Sequence, residues 1–128
     1  MRYALLLHND EPAPGDLPAE GIAEMERLFG EYGDALARAG VLVSGEVLQF
    51  SPAATTVTRR TGTTQIQDGP FAETKEALAG IFVVDVPDVD AAISWAERCP
   101  GATYGSVEVR PVATSLIDGA WTQAGPAA

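Results

Sequence analysis

The stretch Asp68-Gly69-Pro70-Phe71-Ala72-Glu73-Thr74-Lys75-Glu76, with Gly80-Ile81-Phe82-Val83-Val84 close behind it, decides how the chain is read. Gly69 tolerates a positive φ, while Pro70 fixes its own φ and lacks a backbone donor. A residue before proline is pushed out of the helical region, so whatever precedes Gly69 ends in a turn or an extended segment. Beyond the turn, Phe71 reads as a large apolar anchor in a polar connector and is expected to be buried. Glu73, Lys75 and Glu76 then set three charges ahead of the apolar run 79–86, a strand that Pro87 stops. A plain connector between strands does not need that mixture.

The rest of the chain arranges itself around this strand. Residues 1–8 read as a first strand, with Tyr3, Leu5 and Leu7 on one face and Ala4, Leu6 and His8 on the other. The polar loop 9–18 reads either as the rim of a pocket or as a connector. Residues 20–39 are a helix, because Ile22, Met25, Leu28, Phe29, Tyr32 and Leu36 recur at the 3.6-residue period. Gly40 is placed to end it in a left-handed cap. Residues 41–50 read as a second strand. Alternation puts Val41, Val43 and Val47 on one face, and Leu42, Ser44, Glu46, Leu48 and Phe50 on the other, unless Gly45 marks a bulge. Residues 54–60 and 63–68 form a threonine-rich hairpin about Thr61-Gly62, expected as an exposed edge or flap. Asp88 caps a helix running to about Arg98 that buries Val89, Ala92, Ile93 and Ala96. Residues 106–110 alternate as a last strand. Residues 114–128 form a tail without strong periodicity, in which Leu116, Ile117 and Trp121 are candidates for local docking and 125–128 are expected to fray.

Without the hairpin the order is β-α-β followed by β-α-β. That is an α+β, ferredoxin-like split-βαβ plan with an inserted β-hairpin. Two helices cover one sheet face only, yet the long strands are apolar on both. A second copy of the chain is the simplest cover for the other face, so a homodimer is expected.

The string DGPFAETKE, together with 1–7, 39–46 and 104–112, resembles the YCII-related proteins and within them the DGPF subfamily. The resemblance implies a dimeric α+β barrel, a YCII-related (DGPF) domain over residues 1–113 and a tail over 114–128. The wider group is described by a proposed His–Asp catalytic pair, to which spacing does not fix His8. Several dimeric α+β barrel proteins are isomerases, lyases or oxygenases, and some DGPF relatives are associated with sigma factors of RNA polymerase.

Composition narrows the function classes. The chain has 128 residues, 46% of them hydrophobic, which suits one domain with its own core. No run is apolar enough to span a membrane, and 1–8 is too short and too soon charged for a signal peptide. One cysteine, Cys99, excludes an internal disulfide, suggests a reducing compartment and hence a cytoplasmic location, and reads as a packed or exposed thiol. With one histidine and one cysteine, a zinc site of nitrogen and sulfur ligands is implausible, and neither a metal nor a cofactor is expected. A net charge of −10 argues against direct contact with nucleic acid, although solubility accounts for it equally.

Five polar residues are candidates for a site. His8 ends a central strand, and histidine titrates closest to neutrality, so it is a candidate catalytic residue; a lone strand-end histidine is more often structural or exposed. Glu46, on an otherwise apolar face, persists there only beside water, a partner or a ligand, unless a bulge at Gly45 turns it outward. Asp68 is a turn-former by type, and a cleft acid or base if it pairs with Lys75. Lys75 and Glu76 are either solvated charges or ligand-binding groups. The expected site is a polar cleft where Asp68, Lys75 and Glu46 approach one another, with His8 at its edge. Arg59 and Arg60 make a small basic spot on the hairpin. Two functions stand side by side: a small cofactor-independent enzyme moving a proton on an organic molecule, or a non-catalytic module that binds a metabolite or a protein partner, with a link to sigma-factor-dependent transcription control.

Overall fold

The computed structural model describes residues 1–12 and 16–123. In chain order the elements are β1 (Arg2–Asn9), α1 (Ala19–Arg38), β2 (Leu42–Val47), β3 (Thr55–Thr58), β4 (Gln65–Asp68), β5 (Ala77–Asp85), α2 (Val89–Arg98), β6 (Ser106–Pro111), β7 (Thr114–Ile117) and β8 (Ala120–Gln123). A four-stranded sheet runs β2-β5-β1-β6, with every neighbouring pair antiparallel. Each helix carries the chain past one intervening strand: α1 from β1 to β2 across β5, and α2 from β5 to β6 across β1. That interleaving is the ferredoxin-like α+β plan expected from the sequence. The hairpins β3–β4 and β7–β8 stand apart from the sheet.

One sheet face is packed by the chain itself. Tyr3, Leu5 and Leu7 of β1, Phe82 and Val84 of β5, and Val86 form a core with Tyr32 and Leu36 of α1, Ala92 and Ala96 of α2, and Cys99. The Tyr32 ring meets Phe82 edge-on at 5.4 Å, and its hydroxyl donates to the Trp95 carbonyl at 2.8 Å, tying α1 to α2. Burial pushes the Tyr32 hydroxyl above its ordinary range, so it stays a neutral donor, and the Cys99 thiol is raised by the same cause. Cys99 is therefore a packed thiol. Among the described residues, no helix is long and apolar enough to cross a membrane.

Both helix caps follow the sequence. Asp88 accepts from the Ala91 amide at 2.9 Å and starts α2. At the end of α1, Gly40 takes φ +71°, its amide reaches the Ala37 carbonyl at 3.0 Å, and the Val41 amide reaches Leu36 at 3.2 Å. That pair of bonds is the Schellman arrangement.

The second strand differs from its expected form. It is shorter, and its irregularity falls between Leu42 and Ser44, not at Gly45. Residues directly opposite in an antiparallel pair share a face. Leu42 therefore lies on the helix side with Val84, while Ser44 and Glu46 lie on the far side with Val83 and Ile81. Gly45 faces the helices, and the Phe82 ring lies over it so closely that a Cβ would stand 2.8 Å from the ring. Only glycine admits the ring there.

Two further expectations change. On α2, Val89 and Ile93 are exposed, whereas Trp95 packs against the core with Arg98 stacked 4.2 Å from its ring. The tail is not featureless: residues 114–123 form a hairpin whose turn, Asp118-Gly119, has both φ angles positive. Leu116 and Trp121 face each other across it but remain exposed, so they do not dock. Residues 125–128, expected to fray, lie outside the described residues.

Candidate functional site

His8 is fixed by three strands. The register of β1 with β6 runs unbroken through Leu6 and His8, which puts His8 on the face away from the helices, while the register with β5 shifts between Leu7 and His8 and leaves Ala79 as the extra residue. It stands between Leu78 of β5 and Ser106 of β6. Gly105 crosses behind it so tightly that any side chain there would meet the His8 carbonyl. The Nε2 of His8 lies 3.8 Å from Oε1 of Glu108, and the other oxygen of Glu108 accepts from Arg110 Nε at 2.7 Å.

A cavity of about 880 Å³ opens beside His8, within the size range of small-molecule pockets. Three segments complete its wall. The first is 48–54, whose short 3-10 turn Ser51–Ala53 is held by Glu11. That carboxylate accepts from the Ser51 amide at 2.6 Å and from the Ser51 hydroxyl. The second is the loop 70–76. Gly69, at φ +98°, donates to the Ala54 carbonyl at 2.7 Å, and Thr56 Oγ1 donates to the Gly69 carbonyl at 2.9 Å. These bonds close the base of β3–β4 and throw the loop out toward the cavity. The third is the start of β5, Ala77 and Leu78. Glu76 is held in place by the Ser106 hydroxyl, which donates to Oε2 at 3.0 Å.

The candidate residues separate into two groups. His8 and Glu76 both line this cavity. Asp68, Lys75 and Glu46 do not line it: Asp68 pairs with Thr55 at the end of β4, Lys75 is exposed on the loop, and Glu46 is exposed on β2 opposite Ile81. Among the described residues no ion pair joins Asp68 to Lys75. Phe71 departs most from expectation. It is 68% exposed, forms part of the cavity wall, and carries the Arg60 guanidinium 5.4 Å above its ring. Phe71, expected to be buried as the anchor of this loop, is exposed instead.

Sequence reasoning missed Glu11, Phe50, Glu73 and Ser106. Glu11 belongs to the loop 9–18 that reads as a pocket rim or a connector, and it does reach the rim. Ser106 carries no local signal, since its tie to Glu76 spans 30 residues. Among the described residues, no three His, Cys, Asp or Glu side chains converge to hold a metal ion.

The architecture is that of a small ferredoxin-like α+β protein with a pocket at the end of its first strand. The chain belongs to the YCII-related family, whose domain model matches residues 1–115. An uncharacterised protein of Rhizobium meliloti (strain 1021) is similar: 37% identical over 117 residues, covering 88% of this chain and 93% of its own length.

Proposed function

We propose that this protein, a member of the DGPF subfamily, binds a small organic molecule in the cavity beside His8 and moves a proton on it without a cofactor. The observation that carries the reading is His8 itself, a proton-transferring side chain set in the wall of a cavity of ligand size. Glu76, anchored by Ser106, supplies a fixed carboxylate in the same wall. The working form is a homodimer. Its support is the open face of the sheet, where Leu6, Ile81 and Val83 form a partly exposed apolar centre between Glu46 on β2 and Glu108 and Arg110 on β6. His8 is the next residue in the Leu6 row, so a second copy on that face would also border the cavity. The cytoplasm is the proposed location, in keeping with the single buried thiol.

The test is a metabolite and fragment screen by thermal shift on the full chain, because a ligand that binds only the native state raises its midpoint. Hits should be lost in Phe50→Ala and Leu78→Glu, and turnover of any hit should stop in His8→Gln while binding persists. Hits indifferent to Phe50 and Leu78 would sink the cavity reading, and turnover surviving in His8→Gln would remove His8 from the chemistry.

One observation favours the second reading, a non-catalytic module with a protein partner such as a sigma factor. Each hairpin displays an exposed cross-strand apolar pair, Val57 with Ile66 and Leu116 with Trp121. Loss of a cellular phenotype on changing these pairs to serine, with His8→Gln silent, would favour it.

A further inference from the structure

We infer that the cavity takes a small organic cation, an ammonium group carried on an apolar body. The inference rests on the reading that the cavity binds a small molecule, and it names the class of that molecule.

Three carboxylates, Glu11, Glu73 and Glu76, line the cavity, and no lysine or arginine is among its described lining residues. An anion entering this wall would meet three like charges, while a cation would meet three opposite ones. Two of the carboxylates are already positioned, Glu11 by Ser51 and Glu76 by Ser106, so little ordering is left for a ligand to impose. Carboxylates alone do not select an organic ammonium over a hydrated metal ion. The aromatic and aliphatic part of the wall makes that distinction. Phe50 and Phe71 are 50% and 68% exposed and both border the cavity. The face of an aromatic ring attracts a cation within about 6 Å of its centre, most of all one with an apolar coat. One face of Phe71 is already taken by the Arg60 guanidinium, 5.4 Å over its ring, so a ligand cation meets Phe50 or the other face of Phe71. Leu48 and Leu78 offer apolar surface for the body of the ligand. The net charge of −10 adds a longer-range attraction that raises the local concentration of cations.

Three probes of one shape separate the contributions: choline, its neutral carbon isostere 3,3-dimethylbutan-1-ol, and the anion 3,3-dimethylbutanoate. Each is titrated into the full chain while the backbone amides of Leu48, Phe50, Phe71 and Glu76 are followed by NMR. Choline should shift these amides with a Kd about tenfold below that of the alcohol. The carboxylate should leave them unmoved, and the double variant Glu73→Gln/Glu76→Gln, which leaves Glu11 and the rings in place, should reduce the preference for choline; a preference unchanged in the variant overturns the inference. These two residues are exposed, so the variant is expected to fold, which its amide spectrum checks directly. The alcohol or the carboxylate moving the same amides as strongly as choline overturns the cation inference and leaves the small-molecule reading in place. Silence from all three probes overturns it as well, and the small-molecule reading then stands or falls on the fragment screen alone.

Discussion

The two faces of the central sheet are built from nearly the same residue types and have different fates. On the helix side, Leu5, Val84, Leu36 and Ala92 are wholly buried. On the far side, Leu6, Ile81 and Val83, their immediate neighbours along the strands, are only partly covered. The helices account for the difference, because α1 and α2 each present an apolar stripe to one side only. Hydrophobic alternation therefore reports which residues share a face, but not what covers that face. Toward the end of β1 the helix-side row is still apolar at Leu7, before Asn9 closes the strand, while the far row has already changed from Leu6 to His8. The pocket lies at the place where the far face changes from apolar to polar.

The largest expected effect tests this contrast directly. Leu5→Ala removes a fully buried side chain and should cost about 2–5 kcal/mol by urea denaturation. Leu6→Ala, one residue away on the far face, should cost clearly less at protein concentrations low enough to favour a lone chain. Equal losses would mean that the far face is covered as fully as the helix side.

A charge placed on the far face tests whether a second copy covers it. If a second copy covers it, Ile81→Lys should convert a dimer to a species near 13.4 kDa in light scattering, with helix-side packing unchanged. A dimer that survives the substitution would have to be held elsewhere, and the exposed hairpin pairs would be the next surfaces to test. A smaller effect is expected from Asp88→Ala, which removes the α2 cap and should lower stability by about 1 kcal/mol.

The fold was legible because its determinants are local. The helix stripe of α1, the Asp88 cap, the Gly40 terminator and the apolar run of β5 each follow from a few adjacent residues. The failures have equally definite causes. The face of Leu42 was misread because a one-residue irregularity between Leu42 and Ser44 reverses the alternation, and no residue type at those positions announces it. The β7–β8 hairpin does not show in periodicity because each of its strands has only four residues, and Asp118-Gly119 is the one signal that marks it. At the candidate site, His8 and Glu76 were visible as residue types in suggestive places. Glu11 and Ser106 were not, because their contacts to Ser51 and Glu76 join segments 40 and 30 residues apart.

Phe71 gives the smallest expected effect on stability and the most informative one. An aromatic side chain buried in a loop would cost about 3–5 kcal/mol on truncation to alanine. At 68% exposure, Phe71 contributes little more than its contact with Arg60, so Phe71→Ala should shift stability by no more than about 0.5 kcal/mol. The same substitution removes one aromatic wall of the cavity and should weaken binding of any ligand found there. The two readouts together locate what covers the ring. Little change in stability with weakened binding identifies Phe71 as a wall of the pocket. A loss above about 2 kcal/mol that appears only at concentrations where a dimer forms would mean that a second copy buries the ring. The same loss in a lone chain would mean that the loop folds inward over Phe71, and the cavity would then have a different shape.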